Sequence, residues 1–221
     1  MIKVYYAKMS PFLEEDIFLS RINQIEEKRR TGIARLQNPQ AKRNSFFAGC
    51  LLHDVLCKEL GFLPENTASF RMMYEENGKP YLKDYPDLHF NLSHSGEYVC
   101  CALSDAPVGI DVQKMTDVND GIARRFFTAQ DNFMLAERRG HEQEKLFFRM
   151  WSIKESYVKL TGRGIGQGLS GFEIDWGNCR IIDKDAAAFF VEQSILSGYA
   201  LCVCSWKKTE KIEWQSVSFE A

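Results

Sequence analysis

Hydrophobic and polar positions change period several times along this chain. Residues 2 to 7 alternate in the manner of a strand, and residues 13 to 30 carry helical spacing through Leu13, Ile17, Ile22 and Ile25. A second helix is better punctuated. Asn38 suits its N-cap and Pro39 its first position, Phe47, Cys50, Leu51 and Val55 form one stripe, and Gly61 can close it. The period then falls to two. Residues 69 to 74, 88 to 93, 98 to 103 and 108 to 113 read as strands, parted by turn signals at Asn77-Gly78, Ser95-Gly96 and Asp105-Ala106-Pro107. Thr128 can cap a helix to about 139, and a long helix follows from about 142 to 161. Strand-like pieces return at 172 to 176, 180 to 182, 197 to 205 and 212 to 219. Helices and then strands thus occur twice, with a seam near residues 104 to 108. Such runs favour an α+β fold over strict alternation around a parallel sheet.

The helix over 142 to 161 carries charges on its apolar side. Leu146, Phe147, Met150, Trp151, Ile153, Tyr157 and Val158 share one broad arc, and Lys154 projects from the middle of it. Glu155 sits at the edge of that arc, one turn after Trp151 and one turn before Lys159. A snorkelling lysine and a surface ion pair are the plain reading. An ammonium in an apolar wall is costly unless an anion meets it, however, so the position predicts that an anion docks there.

Two strands hold further polar chemistry. In "PVGIDVQKM", Val108, Ile110 and Val112 would face one side and Gly109, Asp111 and Gln113 the other, Gly109 leaving room beside the acid for an ion. Magnesium prefers oxygen ligands and is commonly held by one or two carboxylates together with substrate phosphates, a role open to Asp111 and Glu155, with Gln113 as a weak third ligand or a water holder. In "LHFNLSHSGEYVCCAL", Leu88, Phe90 and Leu92 face inward, and Ser93, His94, Ser95 and Gly96 follow as a polar turn able to hydrogen-bond a phosphate. No GxSxG elbow accompanies these serines, which argues against a hydrolase triad.

Composition narrows the classes. The 221 residues are 45% hydrophobic, enough to bury a core as one large domain or two small lobes. The formal net charge of −2 supplies no field for nucleic acid or an anionic membrane, and no apolar run approaches the ~20 residues of a membrane helix. The seven cysteines include a CC and a CxC but no CxxC pair, so they read as reduced core thiols of a cytoplasmic protein. The N-terminus reads as a strand entering the fold, without a targeting segment. The stretch "GRGIGQG", residues 162 to 168, follows a helix and lacks GK[ST], so it reads as a flexible loop and not as a nucleotide fingerprint.

Three motifs in order, "GKPYLKDYPDLHFNLSHS", "VGIDVQ" and "FFRMWSIKESYVKLTGRGIG", resemble those of the 4′-phosphopantetheinyl transferases of the monomeric Sfp type. The likeness runs from the "EKRR" of residues 27 to 30 to about residue 171 and fades in the C-terminal strands. It implies two similar lobes related by a pseudo-twofold axis, residues 1–106 and 107–221, each a small mostly antiparallel sheet packed with helices, with coenzyme A in the cleft between them. It implies magnesium-dependent transfer of the phosphopantetheine arm to a serine of an apo acyl or peptidyl carrier protein, releasing adenosine 3′,5′-bisphosphate. On the same resemblance, Asp111, Glu155 and Gln113 face the metal, and Glu155 takes the serine proton. Lys154 and Lys159 contact the phosphates, with Lys154 donating a proton to the leaving group. Lys28, Arg43, Ser93 and His94 hold the 3′-phosphate, and Lys79 and Pro80 lie beside the adenine.

The chain departs from the pattern at two positions: Gln113 stands where many relatives have an acid, and Thr31 where a second basic residue is expected after Lys28. A module that binds coenzyme A or a carrier without turnover, and another magnesium-dependent phosphotransferase, are the alternative readings. The carrier is expected to present acidic and apolar residues, for which Phe126, Phe127, Phe133 and Met134 are candidate contacts.

Overall fold

The computed structural model describes residues 1–63, 70–118, 120–164, 168–184, 186–209 and 211–219. The first half contains β1 (Ile2–Lys8), α1 (Glu15–Arg21), α2 (Glu27–Arg35), α3 (Pro39–Leu60), β2 (Met72–Tyr74), β3 (Pro80–Leu82), β4 (His89–Ser95) and β5 (Tyr98–Ser104). The second contains β6 (Val108–Lys114), α4 (Asp120–Phe126), α5 (Ala129–Ala136), α6 (Gly140–Thr161), β7 (Glu173–Asp175), β8 (Arg180–Asp183), β9 (Ala186–Glu192), β10 (Tyr199–Ser205) and β11 (Ile212–Val217). The mixture of helices and mainly antiparallel strands is the expected α+β class.

Local chemistry explains most boundaries. Asn38 Oδ1 accepts the Ala41 amide at 3.0 Å to start α3, and Gly61, with φ of 72°, ends it in the left-handed conformation that glycine adopts freely. Thr128 and Asp131 form a reciprocal capping box at the start of α5. The single helix expected over 13 to 30 is instead α1, a 3₁₀ turn at Ile22–Gln24, and α2. The Glu26 carboxylate caps α2 by accepting the Lys28 and Arg29 amides, and Ile25 before it is extended and buried, so the chain must bend there.

Two sheets form, in the orders β11-β1-β5-β4 and β6-β10-β9-β8-β7, besides the β2-β3 hairpin. Every pair is antiparallel except β1 with β11. The final strand therefore crosses back to the first sheet, so the sequence seam and the sheets do not coincide there. α3 lies over β1, β4 and β5, burying Phe46, Leu51 and Val55 against Tyr5, Val99 and Cys101. α6 lies over β6 and β10, burying Met150, Ile153 and Tyr157 with Ile181, Ala188 and Cys202. A third core, with Val4, Cys100 and Ala102 against Val108, Ile110 and Leu201, joins the sheets.

β6 is an edge strand, yet its outer amides are satisfied. Ile110, Val112 and Lys114 donate to Asn91 Oδ1, Ser93 Oγ and Ser95 Oγ at 2.9, 3.1 and 3.0 Å. The shared period of two lets alternate side chains of β4 stand in for a neighbouring strand. This contact sets the geometry of the site described below.

All seven cysteines are free; six are buried and Cys179 is exposed. Burial pushes the Cys50 and Cys101 thiols up to about 12, which keeps both protonated and inert near neutral pH. Among the described residues no helix is long and apolar enough to cross a membrane.

Candidate active site

A cavity of about 560 Å³ opens where β4, β6 and α6 converge. One wall is polar, with Ser93, Asp111, Gln113, Glu155 and Lys159; the other is apolar, with Val118, Ile122, Phe147, Phe148 and Trp151. Its size and its mixture of apolar lining with a few convergent polar groups are those of a small-molecule site.

Gly109 explains how β6 and α6 come close enough to share it. A Cβ at this position would lie 2.0 Å from the Ser156 carbonyl and 2.6 Å from the Leu160 amide, so only glycine admits the helix backbone. The expectation that Gly109 leaves room for an ion is thus corrected, because the helix itself fills that space. Ser152 Oγ donates to the Asp111 carbonyl at 2.9 Å, a second tie between the elements.

Asp111 is buried and heavily engaged. Its Oδ1 accepts from Lys159 Nζ at 2.6 Å and Ser93 Oγ at 2.9 Å, and its Oδ2 from Gln113 Nε2 at 3.0 Å. Lys159 Nζ also reaches Ser93 Oγ at 2.9 Å. Glu155 is different. It is 3% exposed, and its Oε1 is buried without a hydrogen-bond partner among the described residues. Desolvation and then the charge of Asp111 push its carboxyl up to about 7, with Lys159 opposing them.

An orphaned carboxylate oxygen beside a second carboxylate, in an open cavity, fits a divalent cation. Asp111 and Glu155 would hold it, with Gln113 alongside. Among the described residues no group of three or more His, Cys, Asp or Glu is placed to hold a metal ion.

His94 lies exposed at the mouth of the same cavity, its imidazole held below the usual range by desolvation and then by the cations of Lys159 and Arg29. The structure therefore brings together Ser93, His94, Asp111, Gln113, Glu155 and Lys159. It does not bring in Lys154. That ammonium is fully buried on the other side of α6, paired with Asp131 Oδ2 at 2.9 Å and donating to the Leu169 and Phe172 carbonyls at 3.0 Å each. The anion anticipated beside Lys154 is Asp131, a residue of the protein. Neighbours in sequence thus serve opposite sides: Lys154 anchors the core and Glu155 faces the cavity.

Three other expected phosphate or adenine contacts are engaged within the protein. Arg43 is buried, donating to the Pro11 carbonyl at 3.1 Å and the Gly96 carbonyl at 2.6 Å. Lys79 Nζ donates to the carbonyls of Lys159 and Leu160 at 2.9 and 3.0 Å, closing the C-terminal end of α6, where cations are favoured. Lys28 Nζ sits 3.3 Å above the centre of the Tyr74 ring. Pro80 lines two smaller cavities. Of the apolar candidates, Phe127 is buried, Phe126 and Met134 are half-buried, and Phe133 is 60% exposed. Residues 165–167 of the glycine-rich stretch lie outside the described residues.

Sequence reasoning missed the apolar wall. Val118 and Ile122 fall between the elements that periodicity predicts, and Phe147 and Trp151 read only as part of the apolar arc of α6. A helical stripe wider than one partner needs was the available signal.

Comparison with known proteins carries the geometry to a class. Residues 107–218 match the family described as the 4′-phosphopantetheinyl transferase superfamily, and residues 10–105 match its counterpart described as 4′-phosphopantetheinyl transferase, N-terminal. The chain belongs to the 4′-phosphopantetheinyl transferase superfamily and is an enzyme of that class. Similar proteins include the 4′-phosphopantetheinyl transferase psf-1 of Bacillus pumilus, 33% identical over 93% of this chain and 91% of the relative. The 4′-phosphopantetheinyl transferase gsp of Aneurinibacillus migulanus is 29% identical over 93% and 86%, and Sfp of Bacillus subtilis (strain 168) 27% over 92% of each.

Proposed function

We propose that this chain transfers the 4′-phosphopantetheine arm of coenzyme A to a serine of an apo acyl or peptidyl carrier protein, with magnesium, and releases adenosine 3′,5′-bisphosphate. The observation that carries this reading is the buried, unpartnered Oε1 of Glu155 beside Asp111 in an open cavity. The serine oxygen forms a bond to the phosphorus of the arm as the bond from that phosphorus to the bisphosphate oxygen breaks. Glu155 takes the serine proton as general base. Lys159 neutralises charge on the diphosphate, and Ser93 and His94 hold the 3′-phosphate. Magnesium, held by Asp111 and Glu155 with Gln113 beside them, supplies further charge neutralisation when bound. Positioning and electrostatics account for most catalysis of phosphoryl-type transfer.

Two lobes related by a pseudo-twofold axis belong to the same proposal, residues 1–106 with the returning β11 and residues 107–211. Its support is a repeated order. β1, the 22-residue α3, β4 and β5 run as β6, the 22-residue α6, β9 and β10 do, and β1-β5-β4 has the neighbour order of β6-β10-β9. A cytoplasmic monomer without nucleic-acid or membrane partners suits the free thiols and the slight negative charge.

The test is the mass of an intact apo carrier after incubation with the protein, coenzyme A and magnesium. Addition of one phosphopantetheine, lost in Glu155→Gln and Asp111→Asn, is expected. No addition on several carriers, or addition undiminished in both variants, would overturn the proposal.

A further inference from the structure

The last carbonyls of an α-helix have no partner within the helix, and its final turn frays unless something outside takes them. In α6, Thr161 Oγ1 donates to the Val158 carbonyl at 3.1 Å, and the next two carbonyls, of Lys159 and Leu160, accept from Lys79 Nζ at 2.9 and 3.0 Å. Lys79 belongs to the turn between β2 and β3, in the first half of the chain. That turn is held in its own right. The Gly78 amide donates to the Glu75 carbonyl at 2.8 Å, the Glu75 amide to the Lys79 carbonyl at 2.9 Å, and the Lys79 amide to Asn77 Oδ1 at 2.9 Å. The same turn touches the residue that closes α6, since a Cβ on Gly162 would lie 2.5 Å from Asn77 Nδ2.

Lys79 thus spends its ammonium on the negative end of a helix, where a cation is favoured. The link to the reaction centre is short and passes through one residue. The carbonyl that Lys79 holds is that of Lys159, whose own ammonium reaches Asp111 Oδ1 at 2.6 Å and Ser93 Oγ at 2.9 Å inside the cavity. A lysine side chain is a point charge on a flexible stem, so the place its charge occupies depends on where its backbone is anchored. Lys159 stands only two residues from the end of α6, in the turn most exposed to fraying. Small displacements of a charged group at a reacting centre are costly in rate.

We propose that Lys79 is a positioning residue for the transfer reaction: by holding the Lys159 and Leu160 carbonyls it fixes the last turn of α6, and so the point from which the Lys159 ammonium meets Asp111 and the diphosphate. This assignment rests on the transferase reading above. It moves Lys79 from the adenine, where the resemblance put it, to the end of the helix. Its whole effect on the reaction is then exerted through Lys159.

The experiment is a double-mutant cycle with Lys79→Met, Lys159→Met and the pair, together with Lys79→Arg, each checked for folding by thermal melting. Lys79→Gln replaces Lys79→Met if the latter melts below the assay temperature. Transfer from coenzyme A is read as the mass of the carrier with enzyme in excess, so that slow variants remain measurable. Lys79→Met is expected to lower kcat/KM about tenfold or more in the wild type and by less than about twofold in Lys159→Met, with Lys79→Arg recovering most of the loss. A second readout needs no turnover. Acetylation of lysines by an N-hydroxysuccinimide ester, followed by peptide mass, should modify Lys159 about threefold faster or more in Lys79→Met and at the wild-type rate in Lys79→Arg. Lys3, ion-paired with Glu59 in the other sheet, is the control for general loosening and should not change. Equal losses of kcat/KM in both backgrounds, as an adenine contact would give, would overturn the assignment and leave the transferase reading in place. So would unchanged labelling of Lys159, or labelling of Lys3 that rises with it. No transfer by the wild type would remove that reading, and this one with it.

Discussion

Glu155 makes the metal-free enzyme carry a strained carboxyl, and the strain is measurable as pH-dependent stability. Its proton affinity moves from an ordinary value of 4.5 to about 7, because burial and the neighbouring Asp111 both oppose ionisation. Between about pH 4.5 and 7 the folded chain holds a proton that the unfolded chain has released. The fold therefore loses stability as pH rises through this window, and the loss is complete above about 7. At 1.36 kcal/mol for each tenfold change in proton affinity, the full effect is about 3 kcal/mol. Glu155→Gln keeps the shape and removes the charge. In the presence of a chelator, the variant should lie within about 1 kcal/mol of the wild type near pH 5 and exceed it by about 3 kcal/mol at pH 8. For a chain of this size that difference is about 6 to 12 °C in Tm, while transfer activity is lost. Thermal melting of both proteins from pH 5 to 8 is the assay. A stability difference that does not change with pH, or a variant less stable than the wild type at pH 8, would refute the reasoning.

The remaining predictions separate structural from chemical roles. Lys154→Ala leaves Asp131 as an unpaired buried charge and should cost about 3–5 kcal/mol in urea denaturation. The paired change Lys154→Met with Asp131→Asn, which keeps an acceptor for the Thr128 amide, should recover most of that stability and retain transfer; a folded but inactive double variant would assign Lys154 to the reaction. Gly109→Ala drives a methyl group into the α6 backbone and should cost at least about 3 kcal/mol, or prevent folding, as read by chemical denaturation. Gln113→Glu adds a third carboxylate and should lower the magnesium concentration for half-maximal transfer by roughly threefold or more; unchanged metal dependence would show that position 113 does not face the ion.

Much of the framework was legible because it rests on local rules. The Asn38 cap, the Gly61 stop, the Thr128 cap and four alternating strands each follow from a few neighbouring residues. β9 was missed because "AAAFFVE" lacks alternation, and it becomes a strand by pairing with both β8 and β10. Asp111, Gln113, Glu155 and Lys159 line one cavity, where strand period and helix period place their side chains, and Ser93 and His94, read as a polar turn, line it too. Lys154 could not be resolved the same way. Adjacent helix positions differ by about 100°, and only tertiary packing decides which of two neighbours meets the cavity and which meets Asp131. The engaged state of Arg43 is likewise a product of long-range contacts: Arg43 reaches Pro11 and Gly96, which no periodicity connects.

Lys159 links these observations into one electrostatic argument. It sits where Asp111, Ser93 and the cavity meet, and its single positive charge is divided between Asp111, which it touches, and Glu155, whose ionisation it favours from a distance. Two carboxylates against one ammonium leave the ionised site with an excess negative charge. Glu155, whose Oε1 has no hydrogen-bond partner among the described residues, carries that imbalance. A phosphate entering the cavity competes with Asp111 for Lys159, and each step toward the phosphate uncovers Asp111 further. The polar wall therefore admits a polyanion only together with a compensating cation, and the same balance explains why a lone anion would bind poorly. Substrate binding and cation binding should each strengthen the other by the same factor, as linkage requires, so the apparent affinity for coenzyme A should rise with magnesium and lose that dependence in Asp111→Asn.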